Sequence, residues 1–116
     1  VPSIHFGVQT GELLTSMSRA GSTAVGVDFR VDLDDASTRV QPGQPLQGNL
    51  APALLFAPWE ALAPRIEEIV KQGLNHEAGF VFNLGHGVLP YTDPDVPGRI
   101  VDEVHRVSAE ILAARG

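Results

Sequence analysis

Apolar residues in this chain occur as short continuous runs, separated by longer stretches in which apolar positions recur every three or four residues. A short apolar run between turn residues is typical of a strand that is buried on both faces of a parallel sheet. Four such runs predict four strands, which lie within Ser3–Val8, Thr23–Phe29, Pro45–Leu50 and Gly79–Gly87. The pattern therefore indicates a parallel sheet.

The stretches between the strands have the spacing of helices that bury one face. They span Thr10–Gly21, Asp32–Val40, Ala51–Gly73 and Thr92–Gly116, and the glycines that end the first and third predict where those helices stop. Three prolines of the third stretch each fit the first turn of a helical segment: Pro52, Pro58 and Pro64. The order β-α-β-α-β-α-β-α predicts an α/β fold with right-handed crossovers. It fits either a four-stranded open sheet or half of an eight-unit barrel.

The composition is that of an ordinary globular domain with a hydrophobic core, with 43% hydrophobic and 19% charged residues among 116. No apolar stretch reaches the roughly 18 residues of a membrane span, and no signal-peptide pattern is visible, so we predict no membrane association. The first residue is Val1 rather than methionine, and we therefore expect a processed or truncated chain.

The charge and the cysteine content exclude several classes of function. The formal net charge is −6 with only eight lysines and arginines, which argues against a nucleic-acid surface. The chain has no cysteine, so disulfides, a thiolate nucleophile and cysteine-ligated zinc are excluded. A cysteine-free chain without a visible signal peptide fits a cytoplasmic location.

Candidate chemistry lies directly after the strands, since parallel α/β folds bind ligands at the carboxyl ends of their strands. The residues there are Asp28 and Arg30 after the second strand, Gly48, Asn49 and Leu50 after the third, and Gly85, His86 and Gly87 after the fourth. Asp28 could orient a ligand, but an exposed ion pair with Arg30, contributing only about 0–1 kcal/mol, is the favoured interpretation. Asn49 could either hydrogen-bond a substrate or close a turn.

His86 stands between two glycines, which have no Cβ and permit positive φ angles and the close approach of a ligand. In one interpretation, His86 donates a hydrogen bond to a carboxylate or carries a proton near neutral pH. In the other, the glycines only allow a sharp turn, and His86 hydrogen-bonds to a backbone carbonyl. The pattern alone leaves both interpretations open.

None of the other three histidines lies at a strand end or in a spacing that indicates a ligand site. His5 lies inside the first strand and is predicted to be structural, His76 is predicted to be solvated in a loop, and His105 is predicted on the surface of the last helix. No H-x-x-x-H or H-E-x-x-H spacing supports a zinc site, and no G-x-G-x-x-G segment supports a dinucleotide site. We therefore predict neither a metal nor a nucleotide cofactor.

Three segments form a recognisable set, namely His5–Ala36, Leu46–Glu60 and Phe82–His105, the last of which reads FNLGHGVLPYTDPDVPGRIVDEVH. Together they resemble the C-terminal part of the uroporphyrinogen decarboxylase family, over essentially all 116 residues. The resemblance implies that residues 1–116 are the C-terminal half of a (β/α)8 TIM-barrel domain, in a protein that is a homodimer. It also implies a cofactor-independent removal of the four acetate carboxylates of uroporphyrinogen III, giving coproporphyrinogen III for haem and porphyrin biosynthesis.

By this resemblance, His86 matches the family's active-site histidine and hydrogen-bonds a carboxylate of uroporphyrinogen, while Gly85 and Gly87 clear space for the macrocycle. The family's substrate-binding arginines, central aspartate, tyrosine and serine come from its N-terminal half. No catalytic residue is therefore assigned here, and this segment alone is expected to be inactive. The chain departs from the family at Ala51, where an aspartate is usual, and at Tyr91, where a glutamate or another polar residue is common.

Two other functions are compatible with the same barrel. A stand-alone half-barrel could bind a tetrapyrrole or self-associate without catalysis, if 116 residues were the native length. Cobalamin-linked methyltransferases share the barrel, but their zinc sites use cysteine ligands, and this chain has none.

Overall fold

The computed structural model describes all 116 residues, Val1–Gly116, and contains one sheet of four strands that all run parallel. The strands are β1 (Ile4–His5), β2 (Ala24–Gly26), β3 (Leu46–Leu50) and β4 (Phe80–Leu84). They lie in the sheet in chain order, and β3 pairs with β4 along the whole length of both strands. The predicted parallel α/β sheet is confirmed, although β1 and β2 are shorter than the apolar runs that predict them.

Four α-helices alternate with the strands: α1 (Leu14–Arg19), α2 (Leu33–Ser37), α3 (Trp59–Asn75) and α4 (Asp95–Ala114). Single 3-10 segments precede α1 and α3, at Gly11–Leu13 and Pro52–Phe56. Because each strand lies beside the one before it, every crossover turns the same way, and the helices collect on one face of the sheet. A doubly wound open sheet carries helices on both faces, so this strand order favours a barrel segment over an open sheet.

The hydrophobic core lies between the helices and the face of the sheet that they cover. Val25, Leu46 and Phe80 are register partners on adjacent strands, and all three pack into this core. The helices contribute these fully buried side chains: Leu14, Leu33, Leu62, Ile66, Ile69 and Val70. None of the helices combines the length and the apolarity that a membrane crossing requires.

Two predicted features of α3 are wrong. Pro64 lies inside the helix rather than in its first turn, and because proline has no N–H it donates no helical hydrogen bond to the carbonyl of Glu60. The helix also continues past Gly73 to Asn75. Gly73 instead lets Phe80 pack closely against α3, since a Cβ at this position would lie 2.5 Å from the Phe80 Cδ1.

Candidate functional site

The residues that follow β2, β3 and β4 meet at one edge of the sheet, as the strand pattern predicts. The N–H of Phe29 donates to the carbonyl of Gly85 at 3.3 Å, and the N–H of Gly85 donates to the carbonyl of Leu50 at 2.8 Å. Both backbone groups of Gly85 are therefore occupied, directly before His86. The three strand exits are held together by backbone hydrogen bonds, and we call them the rim (residues 28–31, 49–53 and 85–89).

Asn49 stabilises the part of the rim that follows β2. Its side chain is buried, and its Nδ2 donates to the carbonyl of Asp28 at 3.1 Å and to the carbonyl of Val31. Its Oδ1 is buried without a hydrogen-bond partner in the protein. The sequence left open whether Asn49 binds a substrate or closes a turn. The structure shows a different role, in which Asn49 holds the segment that follows β2.

Asp28 is buried with only 1% exposure, and its carboxylate accepts four hydrogen bonds. The Gln9 N–H reaches Oδ2 at 3.0 Å, and the Arg30 N–H reaches Oδ1 at 3.0 Å. The Arg30 Nη1 lies 2.9 Å from Oδ1 and 2.8 Å from Oδ2. The predicted ion pair with Arg30 is thus confirmed, but the prediction that it is exposed is wrong for the Asp28 carboxylate.

The environment keeps Asp28 ionised. Burial alone raises the pKa of the Asp28 carboxyl, because it removes water from the charged form. The hydrogen bonds from the Gln9 N–H, the Arg30 N–H and the Arg30 guanidinium more than offset this effect, so the pKa lies below its ordinary value. A carboxylate whose oxygens are occupied in this way anchors the rim rather than binding a ligand.

The two glycines beside His86 differ in what surrounds them. A Cβ on Gly85 would lie 2.7 Å from the Phe29 Cα and 2.6 Å from its Cβ, whereas a Cβ on Gly87 would meet no atom within 4 Å. Neither glycine adopts the positive φ that glycine permits. Gly85 therefore allows the strand exits to approach each other, and Gly87 leaves open space next to His86.

His86 is exposed and lies between two cavities. The larger cavity, of about 360 Å³, is also lined by Phe6, Gln47 and Asn83 on the sheet face that carries no helices. The smaller cavity, of about 210 Å³, is also lined by Arg30 on the rim. The His86 ring makes no hydrogen bond to a backbone carbonyl. The structure therefore does not support the interpretation in which His86 only stabilises a sharp turn by such a bond.

The remaining histidines lie away from the rim. His76 is half-buried at the end of α3, with Nε2 2.8 Å from the carbonyl of Gln44, so the prediction of a solvated side chain is wrong. His5 is exposed on β1 instead of structural, and His105 is exposed on α4 as predicted. No three histidine, aspartate or glutamate side chains converge in a group that could hold a metal ion.

Three residues of the site lie outside the sequence predictions. Gln47 and Asn83 are polar positions inside the apolar runs of β3 and β4, and both face the larger cavity. Their alternation with Leu46, Phe82 and Leu84, which face the core, is the signal that could have found them. Phe29 was missed as well. Its ring lies under the Arg30 guanidinium, with 4.2 Å between the Arg30 Cζ and the ring centroid.

A parallel sheet with helices on one face, whose strand exits line cavities with polar side chains, is typical of α/β-barrel proteins that bind a ligand at this end. The model of the uroporphyrinogen decarboxylase family matches residues 1–107, and the chain belongs to this family. The family is a TIM barrel, and the four parallel β/α units of this chain match part of it.

Curated relatives agree with this assignment. The uroporphyrinogen decarboxylase of Thermobifida fusca is 57% identical over 109 residues, which are 94% of this chain and 30% of the relative. Those of Frankia casuarinae and Streptomyces coelicolor are 54% and 57% identical over 105 residues, or 90% of this chain and 28% and 29% of each relative. The chain therefore spans a little under a third of the length of these relatives.

Proposed function

We propose that this chain is part of a uroporphyrinogen decarboxylase, which converts uroporphyrinogen III to coproporphyrinogen III by removing four acetate carboxylates as carbon dioxide. Membership of the family and the names of its relatives support the reaction. The proposed location of the substrate site rests on the position of His86, which is exposed between two cavities at the strand exits. No feature of the fold favours the methyltransferase or the stand-alone binding protein.

In the chemistry we propose, the substrate itself supplies the electron sink that the decarboxylation requires. Protonation of a pyrrole ring creates a cationic electron sink, and the electron pair of the breaking C–C bond neutralises this cation as carbon dioxide leaves. The carbon that carried the carboxylate then takes up a proton, and the ring releases the proton that it first accepted, so each decarboxylation consumes one proton in total. No cofactor is needed for these steps. The protein has to hold a polycarboxylate in one orientation, stabilise the positive ring and deliver protons.

His86 is assigned the first of these tasks. We propose that its ring donates a hydrogen bond to one substrate carboxylate, while Gly87 leaves room for the arm that bears it and Gly85 fixes the backbone from which His86 projects. The family's arginines and central aspartate have no counterpart among these 116 residues, so the segment by itself is expected to be inactive. Homodimerisation and a cytoplasmic location stay predictions.

Replacing His86 by asparagine tests the proposal in the protein as its cell makes it. We expect kcat/KM for uroporphyrinogen III to fall by about 10- to 100-fold, because the shorter asparagine amide cannot place a donor where the His86 Nε2 lies. A positioned hydrogen-bond donor to a charged group contributes about 1.5–3 kcal/mol. The melting temperature should stay within about 1 °C, because the His86 side chain is exposed and makes no hydrogen bond to the protein.

The matched control is His105→Asn, which changes another exposed histidine, on α4 and away from the rim. It should leave both turnover and melting temperature unchanged. Loss of folding in His86→Asn in proportion to its loss of activity would support a structural turn instead. Unchanged turnover in a folded His86→Asn protein would contradict the proposed role.

A further inference from the structure

Arg30 is held on the rim by contacts that use only part of its hydrogen-bonding capacity. Its Nη1 contacts both oxygens of Asp28, and its guanidinium lies over the Phe29 ring at 4.2 Å. No protein acceptor takes a hydrogen bond from its Nε or Nη2, and its side chain is 44% exposed. An arginine that is fixed on one side and free on the other presents donors in a defined direction.

Arg30 lines the smaller cavity together with His86. The rest of its lining is apolar or small, from Phe29, Pro52, Ala53 and Leu89, and contains no carboxylate. Apolar walls lower the local dielectric constant and strengthen an electrostatic contact. The cavity volume of about 210 Å³ is below the range of pockets that enclose a whole drug-sized ligand, so it suits one arm of a larger molecule.

We propose that Arg30 is a second carboxylate-binding residue, which takes one carboxylate-bearing arm of the substrate in the cavity that it shares with His86. This inference rests on the proposed function, because it concerns the same site. A guanidinium matches a carboxylate through two parallel hydrogen bonds, and its charge does not depend on pH in the physiological range. Asp28 balances the charge in the absence of ligand and fixes the orientation of the guanidinium.

Arg30→Lys is the informative variant, measured in the protein as its cell makes it. Lysine keeps a cation for Asp28 to pair with, so the fold should persist, but it lacks the planar second pair of donors. We expect KM for uroporphyrinogen III to rise about tenfold with kcat within about twofold, which corresponds to about 1.4 kcal/mol of binding. Arg30→Gln should raise KM further and should also lower the melting temperature, since Asp28 loses its partner.

Arg19→Gln is the control for a general effect of charge, because Arg19 is exposed on α1 and makes no ion pair. It should leave KM unchanged. An Arg30→Lys protein with wild-type melting temperature and wild-type KM would overturn the inference while leaving the proposed function intact, and so would an equal rise of KM in Arg19→Gln. A wild-type protein that does not decarboxylate uroporphyrinogen III would overturn the proposed function and the inference with it.

Discussion

Replacing Asp28 by asparagine is expected to lower the free energy of unfolding by about 3 kcal/mol. The side chain is 1% exposed, and the amide would place an NH2 donor against the N–H of Gln9 or that of Arg30, depending on which oxygen it replaces. The cost lies at the low end for breaking a buried pair, because Arg30 is 44% exposed and water can solvate its freed charge. Urea denaturation of the two proteins at pH 7 measures the difference.

The same substitution has a defined pH dependence. The pKa of Asp28 is lower in the folded protein than in the unfolded chain, where it is about 3.9. A depressed pKa contributes stability that is fully present above the unfolded value and is lost as the pH falls through the folded value. The gap in melting temperature between wild type and Asp28→Asn should therefore be constant above pH 5 and should narrow below about pH 4.

Asp102 provides the control for Asp28. It is exposed on α4 and forms no ion pair, so Asp102→Asn removes the same charge without disturbing a buried contact. We expect a change within about 0.5 kcal/mol. If Asp28→Asn were as stable as Asp102→Asn, the hydrogen bonds to the buried carboxylate would not hold the rim.

Gly85→Ala is expected to lower the free energy of unfolding by about 3 kcal/mol, at the upper end of the cost of overpacking. The new Cβ would lie 2.7 Å from the Phe29 Cα, a backbone atom that cannot move without breaking the hydrogen bond from Phe29 to Gly85. The backbone before His86 would shift with it. Activity should consequently fall by more than the loss of folded protein explains.

Gly87→Ala makes the same chemical change two residues away and serves as the control. Its Cβ would meet no atom within 4 Å, and Gly87 does not have a positive φ, so the fold should tolerate the methyl group. Thermal denaturation of both variants, together with turnover per folded molecule, separates packing from ligand space. Equal stability of the two variants would contradict the close approach of Phe29 to Gly85.

Local patterns were sufficient to predict the alternation of strands and helices and the edge at which the site lies. The carboxyl ends of parallel strands share one edge, so the residues after β2, β3 and β4 had to meet. The pair of Asp28 and Arg30 was also predictable, since the two are neighbours along the chain. The burial of Asp28 was not, because its partner Gln9 is 19 residues away and arrives only when β1 has paired with β2.

Contacts between segments that are distant in sequence explain the other predictions that are wrong. The His76 ring reaches the Gln44 carbonyl across 32 residues, so its sequence neighbours gave no sign of a partner. Gly73 looked like a helix stop because glycine often ends helices, whereas here it makes room for Phe80 from the next strand. Pro64 shows that packing of α3 against the sheet and α4 outweighs the local cost of a proline inside a helix.

The two backbone hydrogen bonds of Gly85 affect the thermodynamics of ligand binding. Its N–H donates to Leu50 and its carbonyl accepts from Phe29, so the backbone orientation of the residue before His86 is already restricted in the folded protein. Ordering one backbone residue costs about 1–2 kcal/mol of conformational entropy, and here that cost is met during folding. Ligand association then has to immobilise only side chains, which is the preorganisation that favours affinity at a given contact area.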